Sequence, residues 1–260
     1  MKEHIFLLGG QDLEMLEIKS LLNNMSDCLV FDNKLSWENA ELLTYFNVIQ
    51  KYGNIDEVDI YGIELRENDI SSTPDNYHRI DHHNDLSAKP SSLEQIAEVL
   101  HISLSREQQL IAANDKGYIP AMQKKGATPE EIRQIRLRDR QAQGVTELDE
   151  LNAQLSISKK NIEGGIVVVK TSTNRFSTIC DRLFPYQKLL VYSNKELVYY
   201  GIGKDNLTKH FSDDIRGRKM YHGGGNEGFL GTVQGVYTEK QLISLKNEII
   251  QLINQQHIAL

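Results

Sequence analysis

The sequence predicts an α/β protein: an N-terminal parallel sheet with helices on both faces, followed by a smaller C-terminal α+β domain. In the first half, brief apolar runs alternate with helical patterns, which is typical of a parallel sheet covered on both faces. Nearer the C-terminus, several apolar runs predict a second, small sheet. We place the boundary in the polar stretch 156–163, which gives domains of residues 1–157 and 158–260.

The first strand is predicted at residues 5–8, an apolar run that stops at Gly9 and Gly10. A helical pattern of leucines follows, so this segment is predicted to form a strand, a tight turn and a helix. Three further strands and one helix are predicted by similar patterns. The strands lie at residues 28–31, 60–63 and 77–80, and the helix at residues 40–52.

Three capping-box patterns mark helix starts in the middle of the chain. In each, a Ser or Thr is followed three residues later by Glu or Gln, and these two side chains satisfy backbone amides at the start of a helix. The region 91–155 is therefore predicted to be mostly helical, with one helix ending at Gly117. The patterns begin at Ser91, Ser105 and Thr128.

An arginine cluster belongs to the helix predicted after Pro129. The neighbouring acids favour an exposed helix with salt bridges along it, and the alternative is a lining for an anion path. The arginines are Arg133, Arg136, Arg138 and Arg140.

The second domain is predicted to end in a helix that begins at Thr238, where Gln241 completes another capping box. An apolar stripe along this helix predicts one buried face. The strands of the small sheet are predicted at residues 165–170, 188–193, 197–201 and 228–237.

Composition limits the function classes. Lys and Arg number 29 against 36 Asp and Glu, for a formal charge of −7, which argues against a protein that coats duplex DNA. Cys28 and Cys180 lie far apart without metal-type spacing, as is typical of a reducing cytosol. No apolar run approaches the ~20 residues that span a bilayer. We therefore expect a cytoplasmic protein without membrane association.

The segment 79–85 is the most informative for function. Asp81, His82 and His83 follow directly on a predicted strand, and the carboxyl ends of parallel strands are where α/β sheets bind ligands. Imidazole and carboxylate groups together suit divalent metals such as manganese, zinc or iron. The alternative is a polar surface turn.

Other acids occupy similar positions. Asp12 and Glu14 follow the first strand and its glycine turn, and Asp115 lies near a predicted helix end, where the helix dipole disfavours an acid. On the third strand two acids compete. Spacing to the Asp81 triplet favours Asp59, whereas position at the strand end favours Glu64, which we prefer.

The triplet Asp81-His82-His83 at the end of a strand resembles the signature of the DHH phosphoesterases. This family includes single-strand exonucleases, oligoribonucleases, cyclic-dinucleotide phosphodiesterases and, more distantly, manganese-dependent pyrophosphatases. The order of acids over roughly the first 120 residues is similar. The glycine-rich segment 221–229 looks like the loop of the family's associated substrate domain, where backbone amides cradle an anion.

The resemblance implies one or two metal ions, Mn²⁺ or Mg²⁺, and a role for each matching residue. Asp81 and His83 are the implied catalytic residues, with His83 nearer the substrate. The implied metal ligands are Asp12, Glu14, Glu64, His82 and Asp115. The implied substrate-binding residues are Arg218, His222, Gly223, Gly224, Gly225 and Asn226.

The function that these residues imply is metal-dependent hydrolysis of phosphoester or phosphoanhydride bonds. The net acidity favours a small phosphorylated molecule or a short oligonucleotide as substrate, and the sequence leaves a homodimer open. The opening motif lacks the family's His and has Glu14 where the family has Asp. This departure supports an alternative, a catalytically reduced protein that binds nucleotide or metal as a sensor or scaffold. An interaction module without a metal site is the third hypothesis.

Overall fold

A computed structural model describes residues 2–67, 73–224 and 227–255 of the chain. The chain divides into two compact units, Met1–Gly144 and Val145–Leu260. This division lies before the helix Glu147–Ile157, whereas the sequence places the boundary after it. The physical reason is packing: Ala153 of this helix belongs to the same buried cluster as Val169 and Ile179 of the second unit.

The first unit contains a four-stranded sheet in which all neighbouring strands are parallel, as predicted. The strand order is β2-β1-β3-β4, so that β1 and β3 are central. Central strands of such a sheet are buried on both faces, which explains their apolar sequences. The strands are β1 (Glu3–Leu8), β2 (Cys28–Phe31), β3 (Val58–Ile63) and β4 (Tyr77–Ile80).

Helices flank this sheet. On one face, Ile5, Leu7 and Ile60 pack against Leu42 and Tyr45, which belong to a 3₁₀ turn that precedes α2. The predicted helix over 40–52 is thus a 3₁₀ turn followed by a shorter α-helix. The α-helices of the first unit are α1 (Leu13–Asn23), α2 (Phe46–Tyr52), α3 (Ser92–Val99), α4 (Arg106–Lys124) and α5 (Pro129–Ala142), and the 3₁₀ turns are Trp37–Asn39, Leu42–Tyr45 and Asn84–Leu86.

The three predicted capping boxes are confirmed. Ser91, Ser105 and Thr128 are the N-caps of α3, α4 and α5, and each accepts a hydrogen bond from the backbone amide three residues later. The side chain of that third residue in turn accepts from the N-cap amide. Local sequence therefore sets where these helices begin.

Helix α4 is broken in the middle. Gly117 and Tyr118 have non-helical backbone angles, and Tyr118 has a φ of 58°. The helix then resumes to Lys124, so the predicted end at Gly117 is a break rather than a terminus. This break directly follows the segment that contains Asp115.

The exposed-helix prediction for α5 is wrong for two of its four arginines. Arg133 is exposed and pairs with Glu130, and the half-buried Arg138 pairs with Glu107. Arg136 and Arg140 are buried, because α5 packs against α1 and α4 and turns these two residues inward. Charge patterning alone does not show which arginines a tertiary contact covers.

The second unit is built on a six-stranded mixed sheet of order β5-β6-β7-β8-β10-β9. Only β6 and β7 pair in parallel; the other pairs are antiparallel. Two buried clusters lie against it, one with α10 and one with α6 and α7. The strands are β5 (Asn161–Glu163), β6 (Ile166–Lys170), β7 (Lys188–Tyr192), β8 (Leu197–Gly201), β9 (Met220–Gly223) and β10 (Phe229–Thr232), and the helices are α6 (Glu147–Ile157), α7 (Ser177–Leu183), α8 (Lys204–His210), α9 (Ser212–Arg216) and α10 (Glu239–Gln255).

This arrangement confirms the predicted α+β character of the C-terminal part. The predicted strand over 228–237 ends early, at Thr232, and the edge strands β5 and β9 have no counterpart among the predicted strands. Among the helices that the structure describes, none combines the length and apolarity needed to cross a membrane.

Candidate metal centre

The candidate site lies at the carboxyl edge of the parallel sheet in the first unit. Asp12 follows β1 after the Gly9-Gly10 turn, Glu64 is the first residue after β3, and His82 follows β4 by two residues. Because these strands are parallel neighbours, their ends meet at one edge of the sheet. The backbone amide of Glu64 donates to the Ile80 carbonyl at 2.8 Å, which ties the ends of β3 and β4 together.

The first helix positions two carboxylates. Asp12 is the N-cap of α1, and its Oδ1 accepts from the Met15 amide at 2.8 Å. Glu14 lies in the first turn and is buried, and its Oε1 accepts from the Leu93 amide at 3.1 Å. Each side chain is thus oriented through one carboxylate oxygen.

Glu64 has a left-handed backbone conformation, with a φ of 52°, which is costly for a residue with a Cβ. Its buried side chain is fixed by Ser92, whose Oγ donates to Glu64 Oε1 at 2.6 Å. Gly9 makes this turn possible, because a Cβ there would lie 2.5 Å from the Ile63 carbonyl oxygen and 2.8 Å from that of Glu64.

The His82 imidazole lies at the centre of these acids. Its Nε2 is 2.6 Å from Asp115 Oδ2, 3.4 Å from Glu64 Oε1 and 3.5 Å from Glu14 Oε2. Asp115 reaches this point from α4, just before the break at Gly117. The structure therefore brings residues from the ends of β3 and β4 and from helices α1 and α4 to a single point.

Three of the polar atoms at this point lack hydrogen bonds. Glu14 Oε2, His82 Nε2 and Asp115 Oδ2 are buried and have no hydrogen-bond partner of suitable geometry among the described residues. Leaving such atoms unsatisfied costs free energy, and a cation would satisfy all three at once. One ligand atom from each of Glu64, His82, His83 and Asp115 also lies within 4.8 Å of the others, which places His83 at the border of the cluster.

The electrostatics of the cluster favour a bound cation. Burial, together with the charges of Asp115 and Glu64, raises the pKa of Asp12 well above its ordinary value. Burial likewise raises the pKa of Glu14 to about 7. Burial opposes the charge of His82, but the carboxylates of Asp115, Glu14 and Glu64 outweigh it and raise the pKa of His82 to about 12. The carboxylate-rich cluster thus favours added positive charge, and its oxygen and imidazole donors suit Mn²⁺ or Zn²⁺.

His83 faces outward from this cluster. Its side chain is 45% exposed, and its ring centroid lies 4.4 Å from that of His82. Asp81 accepts from the His83 backbone amide at 2.9 Å, and its Oδ1 lies 3.3 Å from His83 Nδ1. Asp81 also accepts from Arg79 at 2.5 Å, so a buried acid that is paired with an arginine orients the exposed imidazole.

The titration of the Asp81–His83 pair follows from this contact. Burial acts against ionised Asp81, but the hydrogen bonds from His83 and Arg79 hold its pKa well below the usual range. The hydrogen bond to Asp81 raises the pKa of His83. The pair therefore consists of an anionic orienting group and an imidazole that readily carries a proton.

A cleft of about 390 Å³ opens beside the cluster. Acidic residues and His83 lie along it, together with an indole and two arginines. The lining residues are Asp12, Trp37, Ala40, Glu64, Leu65, Arg66, Arg79, Asp81, His83 and Asn84.

Asp59, the alternative to Glu64, lies elsewhere. It sits near the start of β3, and its Oδ1 is 2.9 Å from Lys2 Nζ and 3.3 Å from His78 Nε2. The structure thus places Glu64 in the cluster and Asp59 in a separate surface ion pair.

The predicted substrate-binding residues belong to the second unit. Arg218 is exposed with a φ of 55°, His222 and Gly223 lie on β9, and Gly224 has a φ of 72°. The left-handed conformation at Gly224 is one that glycine adopts readily. Gly225 and Asn226 lie outside the described residues.

Sequence reasoning did not select three residues that shape the site. Ser92 and the amide of Leu93 hold Glu64 and Glu14, and Trp37 lines the cleft. The sequence signal that could have selected Ser92 is its position at a predicted helix start, directly after the N-cap Ser91. No sequence pattern links Trp37 to His83, since their proximity depends on the tertiary fold.

No known family model matches the sequence, and no curated protein matches it. Among solved structures, the chain is similar to the DHH domain of a member of the s1p family of ribosomal proteins, with a TM-score of 0.50 at 9% identity. The similarity covers 95% of this chain and 87% of that one. The chain has a distant DHH-like fold.

At that identity the DHH-like similarity concerns the fold alone. An uncharacterized protein from Helicobacter pylori G27 matches with a TM-score of 0.29 at 10% identity, over 97% of this chain and 99% of that one, a value too low to indicate a common fold.

Proposed function

We propose that this protein is a metal-dependent phosphoesterase that hydrolyses phosphoester or phosphoanhydride bonds. The substrate class is a small phosphorylated molecule or a short oligonucleotide. One observation carries the proposal: Glu14 Oε2, His82 Nε2 and Asp115 Oδ2 converge in the buried cluster without hydrogen-bond partners. The distant DHH-like fold supports it.

The residues that would hold one or two divalent cations are those of the cluster. His82, Glu14, Glu64 and Asp115 supply the closest donors, and Asp12 adds a buried carboxylate. A bound Mn²⁺ or Mg²⁺ would supply Lewis-acid chemistry: it neutralises phosphate charge and lowers the pKa of a water molecule toward neutrality. The protein contributes the preset orientation of the ligands, through the Met15 and Leu93 amides and Ser92.

His83 is the candidate group for proton transfer. Its side chain is exposed beside the cluster and borders the cleft, whereas Asp81 beneath it is buried. Asp81 fixes the ring through Nδ1, which leaves Nε2 free to donate a hydrogen bond or proton to a leaving oxygen. We assign Asp81 as the orienting group.

The substrate-binding role of the second unit is a separate part of the proposal. Strand β9 ends at Gly223, and Gly224 follows in a left-handed conformation, in which a glycine amide can bind an anion. Arg218 and His222 supply positive and hydrogen-bonding groups within the same unit.

The first test combines metal binding with turnover. Calorimetric titration would measure the affinity for Mn²⁺ and Mg²⁺. Turnover would be measured with bis-p-nitrophenyl phosphate, a dinucleotide and pyrophosphate. Both measurements would be made on the wild type, His82→Ala and His83→Ala. We expect His82→Ala to lose metal affinity and His83→Ala to keep it while losing turnover by 10²-fold or more, the usual size of acid–base contributions. Asp59→Asn is the matched control, since Asp59 lies outside the cluster.

The outcomes separate the hypotheses. Metal-dependent turnover that both histidine variants lose supports the phosphoesterase. Metal binding by wild type without turnover of any substrate would favour the alternative, a reduced site that binds metal or nucleotide without hydrolysis. Absence of metal binding would contradict the phosphoesterase and the metal-binding form of the alternative.

A further inference from the structure

We infer that the indole of Trp37 is a stacking subsite for a flat aromatic ring carried by the phosphorylated substrate. This inference rests on the proposed function and deepens it, because it specifies the organic part of the substrate. The ligand class is a phosphate ester with an aromatic heterocycle, as in a nucleotide.

The position of Trp37 suits this role. It lines the same cleft as Asp12, Glu64 and His83, and its ring centroid lies 6.1 Å from that of His83. The His83 imidazole in turn contacts the ring of His82 at the centre of the cluster. A phosphate bound at the cluster would therefore have its organic group beside the indole.

One face of the indole is supported by the protein. Its Cδ2, Cε3 and Cε2 atoms lie so close to Gly10 that a Cβ there would be 2.3 to 2.6 Å from them. The ring thus rests on the backbone of the turn that leads to Asp12. Trp37 is nevertheless 40% exposed, so a large apolar surface remains open in the cleft.

Arg66 holds the Trp37 segment in place. Its guanidinium donates to the carbonyl oxygens of Trp37 and Glu38 and to Glu41 Oε1, at 3.2 Å for Trp37 and 2.8 Å for Glu41. A ring whose backbone is tied in this way loses little freedom on binding, so stacking on it is favourable. Stacking of a base on an aromatic side chain typically contributes about tenfold or more in affinity.

The experiment uses the fact that Trp37 is the one tryptophan of the chain. Adenosine 5′-monophosphate and ribose 5-phosphate share phosphate and sugar and differ in the base. Each would be titrated into the Mg²⁺-loaded wild type while the fluorescence of the indole is recorded. We expect adenosine monophosphate to quench Trp37 and to bind at least about tenfold more tightly than ribose 5-phosphate.

Variants separate stacking from general binding, with affinities measured by calorimetry. Trp37→Leu should bring the two affinities close together, and Trp37→Phe should restore part of the preference. Phe46→Leu is the matched control, since Phe46 is an exposed aromatic residue (54%) that does not line the cleft; it should keep the full preference.

Each remaining outcome counts against the subsite. Equal affinity of both ligands for the wild type would overturn it while leaving the phosphoesterase proposal intact. A preference that survives in both Trp37 variants would also overturn it. If Mg²⁺ binds but neither phosphate does, the proposed function fails, and the subsite fails with it.

Discussion

The guanidinium carbon of Arg136 lies 4.6 Å from the centroid of the Tyr118 ring. On the other side of Asp115, Arg136 Nη1 donates to Asn114 Oδ1 at 2.9 Å. This buried arginine thus contacts residues on both sides of the acid that meets His82, and its charge is balanced by Asp139 at 2.6 Å. We regard Arg136 as a positioning residue for Asp115, because it holds the chain on both sides of this acid.

Replacing Arg136 should therefore weaken metal binding without touching a ligand. Arg136→Ala leaves Asp139 buried without this partner, and we expect a loss of about 3–5 kcal/mol in unfolding free energy and a tenfold or larger loss of Mn²⁺ affinity. Thermal unfolding and calorimetry measure the two effects. Arg136→Lys, which keeps the charge, should recover more stability than metal affinity.

Arg133→Ala on the same helix is the control for that pair of variants. Arg133 is exposed and pairs with Glu130 at 2.7 Å, so its loss should change stability by no more than about 0.5 kcal/mol. Unchanged Mn²⁺ affinity in folded Arg136→Ala would refute the positioning role.

A matched pair of substitutions on β3 and the residue after it tests which acid belongs to the metal centre. Glu64→Gln removes a carboxylate 3.4 Å from His82 Nε2, whereas Asp59→Asn removes one that pairs with Lys2 at the other end of the strand. We expect Mn²⁺ affinity to fall tenfold or more for Glu64→Gln and to stay unchanged for Asp59→Asn. The reverse pattern in the titrations would place the ligand at Asp59.

Asp12→Asn should stabilise the metal-free protein. Asn is as good an N-cap as Asp, so the bond from the Met15 amide persists, while the buried charge disappears. Because the folded protein raises the pKa of Asp12 above its ordinary 3.8, ionised Asp12 destabilises the fold at pH 8. Thermal unfolding at pH 8 without metal should shift upward by roughly 2–4 °C per kcal/mol relieved.

That stabilisation has a defined pH dependence. Below pH 3.8 Asp12 is protonated in both the folded and unfolded chain, so the charge that the substitution removes is already absent there. A gain that persists undiminished in acid, or a loss at pH 8, would contradict the charge explanation.

Metal affinity should rise with pH near neutrality. Burial raises the pKa of Glu14 to about 7, so at pH 6 a proton competes with the cation for this carboxylate, and at pH 8 it does not. The imidazole of His82, whose pKa is raised to about 12, must also release its proton when the ring binds the cation, so we expect Mn²⁺ binding at least about tenfold tighter at pH 8 than at pH 6. Calorimetry in buffers of different ionisation enthalpy should show proton release; affinity independent of pH would mean that neither Glu14 nor His82 ligates.

The strands and capped helices were predictable because their signals are local. The apolar run of β1 ends at a glycine pair, and Ser91, Ser105 and Thr128 carry their capping partners within three residues. The strand-end rule selected His82 and Glu64 for a related reason: once the strands are known to be parallel neighbours, their ends must meet.

The remainder depended on contacts between distant segments. Arg133 and Arg136 lie three residues apart in a helix that carries both acidic and basic side chains. Packing against α4 buries Arg136 and leaves Arg133 exposed. Trp37 reaches His83 only because Gly10 gives its ring room. Strand β5 was not predicted because it has three residues, of which Ile162 alone is apolar, and this pattern is too short to indicate a strand.

The cluster around His82 draws its donors from four stretches of chain: the start of α1, the residue after β3, the segment after β4, and α4. These stretches meet only once the sheet has formed, so a cation shared among them acts as a late cross-link. Ligands that bind the folded state alone shift the folding equilibrium, and contacts absent from the transition state slow unfolding rather than speed folding. Metal loading should therefore lengthen the lifetime of the folded first unit and protect it from proteolysis.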